Sequence, residues 1–158
     1  MNNKLLYGII GVCLIFIIVI VVIFSRNEEI ICTKESNQKK SNFIYKTKYI
    51  IKARGSLVKS VNITEVIESS DNKVLEKYEK QLKKDYSYNK KNYGGYTYKV
   101  INKNGKVISN VTIDYKEFDL VKFSEDNEAM KKYTMNNKMK LAGIKNMYEA
   151  TGAICKKS

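Results

Sequence analysis

The chain has 158 residues, which is enough for one ordinary domain beside a targeting segment and too few for two. Its 29 basic and 16 acidic residues give a formal charge of +13, and it contains no histidine and only 3 cysteines. The commonest general base and the commonest zinc ligand are therefore missing, and the cysteines are too few for a four-ligand zinc site. The composition predicts a protein without a metal or cofactor and favours a non-enzymatic role.

The first predicted element is a membrane helix. Residues 5–24 read LLYGIIGVCLIFIIVIVVIF, without a charge, and at about 1.5 Å per residue this stretch is as long as the hydrocarbon core of a bilayer is thick. It ends in bulky residues rather than the small residues of a signal-peptide cleavage site, which favours an uncleaved anchor. We expect a single-pass transmembrane anchor over residues 1–26, a linker over residues 27–41 and one domain over residues 42–158.

The domain begins with a predicted β-hairpin. Residues 43–54 alternate between apolar and polar side chains, as in a strand with one buried face. Gly55 supplies a turn, and the β-branched stretch at residues 57–67 predicts the second strand.

A helix is predicted next. Ser70 or Asp71 is a suitable N-cap, and apolar residues recur at helical spacing from Val74 to Tyr86. We expect this helix to end near Tyr86 and residues 89–95 to form a loop.

The dipeptide Asn104-Gly105 predicts a second hairpin with a definite register. Asn-Gly is a preferred pair for a two-residue type I′ turn, and such a turn places Lys103 opposite Lys106. The remaining predicted pairs are Val100 with Ser109, Lys99 with Asn110, Tyr98 with Val111, Thr97 with Thr112, and Tyr96 with Ile113. This register sorts apolar side chains onto one face of the hairpin and polar side chains onto the other.

The C-terminal part of the sequence is less regular. Residues 124–137 are polar and predict a loop or a weak helix, whereas residues 141–151 have the apolar spacing of a helix that Gly152 ends. The predicted order β-β-α-β-β-α indicates an α+β fold. For this chain we expect an N-terminal transmembrane helix, followed by a domain in which helices cover one face of an antiparallel sheet.

Two cysteines flank the predicted domain. Cys32 lies at its start and Cys155 near its end, and a disulfide between them would form only in an oxidising compartment. The bridge requires Cα atoms less than about 7 Å apart. Three lysines after the apolar segment favour the opposite orientation, with the domain in the cytoplasm. They are Lys34, Lys39 and Lys40, and the positive-inside rule would keep a domain that follows them on the cytoplasmic side.

Several segments resemble the YehR-like family of small bacterial extracytoplasmic lipoproteins, a family of unknown function. The similar segments are YKTKY at 45–49, GSLVKSV at 55–61, the helix ending near Tyr86, VTIDYKEFDL at 111–120, and the terminal helix that ends in Gly152 before Cys155. The resemblance implies a surface-exposed α+β domain without known catalytic residues. This chain departs from the family in having a long apolar segment in place of a lipidated cysteine. Together with the cysteine pair, the resemblance implies an extracytoplasmic domain on a cell-membrane protein.

The lysine-rich composition is most simply explained by solvated surface lysines, and it restricts the partners that remain open. Only Arg26 and Arg54 of the 29 basic residues are arginine, and specific phosphate readers favour arginine, so nucleic acid is disfavoured as a partner. We predict attachment to the membrane through the N-terminal helix and binding to an anionic envelope polymer or another envelope protein. Aromatic rings interleaved with lysines can stack on sugars or bases. The ligand face predicted on this ground consists of Tyr88, Lys90, Lys91 and Tyr93.

Two alternative functions stay open. Asp114, Glu117 and Asp119 form the densest acidic group, and paired carboxylates could make the domain an extracytoplasmic hydrolase. Lys116 and Lys122 stand close by, which favours ordinary surface ion pairs instead. The second alternative is a basic domain that faces the cytoplasm and binds nucleic acid or anionic lipid.

Overall fold

The computed structural model describes residues 26–38 and 43–158, and β-strands account for about half of this part. The strands are β1 (Asn27–Gln38), β2 (Phe43–Arg54), β3 (Leu57–Ser69), β4 (Tyr96–Lys103), β5 (Lys106–Asp114), β6 (Thr134–Met135), β7 (Lys138–Met139) and β8 (Ile154–Lys157). The α-helices are α1 (Asn72–Tyr93), α2 (Leu120–Asp126) and α3 (Leu141–Ala150), and a 3-10 helix spans Glu128–Tyr133.

Six of the described strands form one antiparallel sheet in the order β4-β5-β3-β2-β1-β8. The three longest strands, β1, β2 and β3, pair side by side within it, while β4 and the short β8 lie at the two edges. The pairing of β3 with β5 joins the two predicted hairpins into a single sheet. Strands β6 and β7 pair only with each other.

The β4–β5 hairpin has the register that its turn predicts. Tyr98 lies opposite Val111, and the other predicted pairs are present as well. Asn104 and Gly105 have φ angles of 55° and 72°, which is the left-handed conformation that a type I′ turn needs at both positions. The predicted register is therefore confirmed. It could be predicted because the turn that sets it is encoded in two neighbouring residues.

Strands β1 and β8 were not predicted. Residues 27–41 were expected to form a linker, but the residues up to Gln38 pair with β2 along its whole length. Strand β8 pairs with the other edge of β1 at residues 30–33. Most of β1 is polar, and a polar segment becomes a strand only where neighbouring strands satisfy its backbone, which the sequence alone does not reveal.

Helix α1 is longer than predicted. It begins after Asp71, whose side chain accepts a hydrogen bond from the Lys73 amide at 2.8 Å, and it continues past Tyr86 to Tyr93. Tyr93 is only 4% exposed and holds the last turns of the helix against the core. Gly94 then ends the helix with a φ of 65°, a conformation that glycine adopts without steric cost.

The segment between β5 and α3 contains more regular structure than expected. The predicted loop at residues 124–137 includes the end of α2, the 3-10 helix and strand β6. Asn136 and Asn137, with φ angles of 49° and 56°, connect β6 to β7. Asparagine tolerates this left-handed conformation better than most residues, so the tight turn is compatible with the sequence.

The helices pack on one face of the six-stranded sheet, and the core lies between the two layers. Leu75 of α1 packs with Ile67 and Val107 of the sheet. At the other end of the sheet, the ring of Tyr148 from α3 stacks on Tyr49 of β2 with 3.9 Å between ring centroids. We call this side of the sheet the covered face, and the opposite side the open face.

A disulfide joins β1 to β8. Cys32 and Cys155 lie directly opposite each other in the strand register, and their Cα atoms are 3.9 Å apart, well inside the limit of about 7 Å. Cys32 is completely buried. The bridge connects residues 123 positions apart in the chain, so it fixes the last strand to the first described one.

The fold class predicted from the sequence is wrong. The structure is mostly antiparallel sheet with a few helices: three strands precede the first described helix, and a strand follows the last one. The predicted transmembrane helix at residues 5–24 lies outside the described residues. Among the helices of residues 26–38 and 43–158, none is both long and apolar enough to cross a bilayer. The prediction of a single-pass membrane protein therefore has no support in the part of the chain that the structure describes.

Candidate functional site

The open face of the sheet carries the side chains that alternate with core residues along each strand. In β2, Lys46, Lys48 and Lys52 are exposed, whereas Thr47 and Ile51 between them are buried on the covered face. Every side chain that the structure describes on the open face is at least partly exposed to solvent. The open face is thus a continuous accessible surface in this part of the chain.

Lysine is the dominant charged residue on the open face. The strand registers place seven lysines, together with Arg54 at the end of β2, on the same face as four acidic residues. The lysines are Lys46, Lys48, Lys52, Lys99, Lys103, Lys106 and Lys156, and the acidic residues are Glu29, Glu35, Glu68 and Asp114.

Two of the four acidic residues are already in ion pairs. Glu35 contacts Lys46 at 3.2 Å, and Glu68 contacts Lys106 at 3.0 Å. The other five lysines of this face form no ion pair with a described residue. The excess of positive charge over a flat surface favours the approach of a polyanion.

A shallow groove of about 490 Å³ lies over the central strands of the open face. Lys48 is its central cation, and it lies opposite Thr33 of β1 and Thr64 of β3. We call these three residues the Lys48 row. Ile154, which is 67% exposed, stands beyond Thr33 at the edge of the groove.

The Lys48 row can bind an anion. The lysine ammonium group is a point charge with three donors, and a threonine hydroxyl can donate a further hydrogen bond to the same group. The Thr64 hydroxyl already donates to Asn110 Oδ1 at 3.1 Å, whereas Thr33 is exposed. The groove contains one carboxylate, that of Glu35, which is paired with Lys46.

The structure buries one residue of the predicted ligand face. Tyr88 is 56% exposed, and Lys90 and Lys91 are exposed, but Tyr93 is buried. The Tyr93 hydroxyl donates a hydrogen bond to Asp126 Oδ2 at 2.9 Å. Its ring packs edge-on against the half-buried Phe123 and against the exposed Tyr88, so Tyr93 supports the helix end, and the ligand face stays a prediction for Tyr88, Lys90 and Lys91.

The three acidic residues considered for a hydrolase lie around the turn that follows β5. Asp114 Oδ1 accepts a hydrogen bond from the Lys116 amide at 2.9 Å, and Asp119 Oδ1 accepts one from the Lys122 amide at 3.0 Å. Both carboxylates therefore cap local backbone, and Glu117 is exposed.

The structure shows a further carboxylate, on the covered face, that the sequence patterns did not indicate. Glu65 of β3 accepts hydrogen bonds from the Tyr45 hydroxyl at 2.8 Å, from the Ser109 hydroxyl at 2.7 Å, and from the Tyr86 hydroxyl. Thr47 lies opposite Glu65, is 3% exposed, and has no hydrogen-bond partner for its hydroxyl among the described residues. We call Glu65 and its three donors the Glu65 network. It ties α1 to three strands of the sheet.

The tyrosines of the Glu65 network are neutral donors at physiological pH. Burial, and after it the negative charge of Glu65, raises the pKa of Tyr45 and of Tyr86, because both effects disfavour a tyrosinate. Burial and the hydrogen bond to Asp126 likewise raise the pKa of Tyr93 to about 12. These groups hold their protons and stabilise the packing of α1.

The solution structure of the E. coli protein YehR is similar to this chain. The two match with a TM-score of 0.57 at 16% sequence identity, over 83% of this chain and 91% of YehR. This chain has a YehR-like fold. An NMR structure of a protein from Streptococcus pneumoniae TIGR4 matches with a TM-score of 0.46 at 13% identity, over 83% of this chain and 84% of that protein. No family model and no curated protein matches the sequence.

The likeness to YehR agrees with the sequence resemblance only at the level of a YehR-like fold. It leaves the site to be argued from this chain's own residues, because at this level of identity a shared fold says nothing of a shared ligand. The Lys48 row could have been found from the sequence only if β1 had been recognised as a strand, since Thr33 joins Lys48 through that pairing.

Proposed function

We propose that the protein is a non-enzymatic binding module that acts outside the cytoplasm and binds an anionic envelope polymer on the open face of its sheet. The observation that carries the proposal is the accessible face with seven lysines, five of them in no ion pair with a described residue. A polymer can contact several of these lysines at once, so weak single contacts add up to useful affinity.

The extracytoplasmic location is supported by the disulfide. A bridge between Cys32 and Cys155 is stable in an oxidising compartment and rare in the cytoplasm. The sequence resemblance to an extracytoplasmic family favours the same location. Acid-quenching whole cells and alkylating the thiols under denaturing conditions, before and after reduction, tests this part of the proposal. Alkylation of Cys32 and Cys155 without reduction would contradict it.

Binding is tested with a matched pair of polymers. The oxidised full-length protein is titrated with dextran sulfate and with uncharged dextran of equal length, across a series of salt concentrations. We expect binding to the sulfated polymer only, with an affinity that falls as salt rises, because counterions are released when lysines neutralise a polyanion. Equal binding to both polymers, or binding that salt does not change, would contradict the proposal.

The open face is tested with two triple variants of equal net charge. The first replaces Lys46, Lys48 and Lys52 with glutamine, and the control replaces the exposed Lys77, Lys80 and Lys84 of α1 in the same way. We expect the first variant to lose most of the affinity and the control to lose little. If both variants lose the same affinity, net charge and not the open face is responsible.

A further inference from the structure

Strand β4 forms a long edge of the six-stranded sheet. It has 8 residues, whereas β8 at the other edge has 4. Natural proteins shorten, bend, cover or charge such edges, because unpaired backbone groups are a template for another strand. The pairing of β4 with β5 is regular from Tyr96 to Lys103, without a bulge, and the chain contains no proline. Of these protective devices, β4 carries charge, at Lys99 and Lys103.

The backbone groups at the outer edge of β4 belong to alternate residues. Lys103 and Lys106 close a two-residue turn as a hydrogen-bonded pair, so every second residue before Lys103 bonds to β5. The residues between them, Tyr98, Val100 and Asn102, direct their N–H and C=O groups away from the sheet. No backbone group of the described residues bonds to these groups. A further antiparallel strand can therefore extend the sheet here.

A second copy of β4 fits this edge in one register. If two β4 strands pair about a twofold axis at Val100, Lys99 lies opposite Ile101 of the other copy, and Lys103 lies opposite Thr97. An axis at Lys99 or at Ile101 would place lysine directly opposite lysine, which is destabilising. Ile101 is 37% exposed and would pack against the aliphatic stem of the opposing lysine.

The lysines of β4 also belong to the open face. Pairing about Val100 collects Lys99 and Lys103 of both copies along the line where the two strands meet, which we call the seam. These charges repel one another, and neither lysine is in an ion pair with a described residue. Opposed residues of antiparallel strands lie on the same side of a sheet, so the two open faces are continuous across the seam. A polyanion that crosses it would neutralise the repulsion.

We infer that binding of the anionic polymer makes two copies of the protein pair through β4, with their open faces joined into one lysine surface. This inference rests on the proposed function and adds a second copy of the chain as partner. The coupling is reciprocal, because a polymer that favours the pair must also be bound more tightly by the pair. Without polymer, the lysines of the seam keep the protein monomeric.

The pairing is tested by sedimentation velocity of the oxidised full-length protein with a short dextran sulfate. We expect a monomer without polymer and two copies in each complex with it. Asn102→Pro removes an outward N–H at an exposed edge position, where proline is tolerated within the sheet, and should prevent the pairing. Asn102→Ala keeps that N–H and is the matched control. The proline variant should bind the polymer at least about tenfold more weakly than the alanine variant, because it loses the bivalent contact.

The role of the seam lysines is tested without polymer. Lys99→Gln combined with Lys103→Gln should pair spontaneously, since the seam then carries no repelling charges. Lys77→Gln combined with Lys80→Gln removes the same charge from exposed positions of α1 and should stay monomeric. Neither variant removes a buried side chain, so this comparison decides the matter even if Asn102→Pro does not fold. Equal behaviour of the two variants would overturn the role of the seam.

The register is tested by cross-linking in the presence of dextran sulfate. About an axis at Val100, the two copies of this residue form a hydrogen-bonded pair with Cα atoms about 5.5 Å apart, within reach of a disulfide. Val100→Cys should therefore link two copies on mild oxidation. Ile101→Cys should not, because the two copies of residue 101 lie about 8 Å apart diagonally across the seam. A link through residue 101 alone would overturn the register.

The outcomes separate this inference from the proposed function. Salt-sensitive binding of dextran sulfate to a protein that stays monomeric would leave the proposed function standing and overturn the pairing. Assembly on the polymer to the same extent by Asn102→Pro and Asn102→Ala would mean that copies bind it independently, which also overturns the pairing. No salt-sensitive binding of dextran sulfate would overturn both proposals.

Discussion

The covered and open faces of the same sheet are built from alternate residues of the same strands, yet they differ in chemistry. The covered face holds the aromatic rings, the buried isoleucines and the Glu65 network. The open face holds lysine, threonine and asparagine, with isoleucine and valine half-buried between them. Lysine stems can lie over such apolar neighbours while their charges remain in water.

Because of this difference, substitutions on the two faces of the six-stranded sheet should affect stability and binding separately. A change at a buried position of the covered face should alter the free energy of unfolding, because such side chains pack against the helices. A change on the open face should alter affinity for a ligand and leave the fold intact. The two faces can be tested against each other with substitutions at neighbouring positions.

The largest effect is expected from removal of the disulfide on the covered face. A variant with Cys32→Ala and Cys155→Ala should lose about 4 kcal/mol in the free energy of unfolding, because the bridge restrains a long loop in the unfolded chain. Urea denaturation of the oxidised protein measures the loss, and reduced wild-type protein is the control. A loss below about 1 kcal/mol would contradict the expectation.

A core substitution should come next. Ile51→Ala removes a completely buried side chain on the covered face and should cost about 3 kcal/mol, from lost transfer free energy and the cavity left behind. Ile101→Ala, at a side chain that is 37% exposed on the open face, should cost less than about 1 kcal/mol. Equal losses in urea denaturation would show that the two faces do not differ as described.

The Glu65 network should contribute a smaller amount. Tyr86→Phe removes a donor to Glu65 and should cost about 2 kcal/mol, the size expected for a hydrogen bond to a charged group. Tyr88→Phe is the matched control, since Tyr88 is 56% exposed on the same helix. It should leave the urea midpoint unchanged. A similar shift in both variants would exclude a role for the network.

Alkaline pH should weaken the covered face gradually. The pKa of Tyr45 and of Tyr86 is raised above the ordinary value, and that of Tyr93 is raised to about 12. In the unfolded chain these groups lose their protons near pH 10, whereas in the folded protein they keep them, so the stabilisation is complete below about pH 10 and is lost as pH rises above it.

Urea denaturation at a series of rising pH values measures this loss. The ultraviolet absorbance of tyrosinate reports the ionisation of the tyrosines in the same samples. The Tyr86→Phe variant should show a shallower decline than wild type, because it has one raised tyrosine fewer. A wild-type protein whose stability is constant through the alkaline range would contradict the assignment of these tyrosines as neutral donors.

The smallest effect on stability is expected on the open face. Lys48→Gln should change the free energy of unfolding by less than about 0.5 kcal/mol, because Lys48 is exposed and has no ion-pair partner among the described residues, and such a lysine contributes little to folding. The same variant should lose affinity for the anionic polymer. A stability loss comparable with that of Tyr86→Phe would mean that Lys48 belongs to the fold and not to the ligand surface.

Local patterns predicted the elements whose cause is local. The period-two alternation in β2, the Asn-Gly turn between β4 and β5, and the apolar spacing of α3 are each written in a few neighbouring residues. The prediction of α1 ended too early, because its last turns depend on the burial of Tyr93 against residues that follow β5. The candidate site on the open face was not predicted, for the same reason. The sequence shows the positive charge, but it does not show the strand pairing that places Thr33 and Thr64 beside Lys48.

By itself, the sequence determined the basic charge, the absence of histidine chemistry, the two hairpins and the register of one of them. Only the tertiary structure decided that β1 and β8 join the sheet, that Glu65 collects three hydroxyl donors, and which lysines share a face. The physical reason is the range of the interactions. Turn and periodicity signals act over a few residues, whereas the pairing of β8 with β1 joins segments more than a hundred residues apart and leaves little trace in either segment alone.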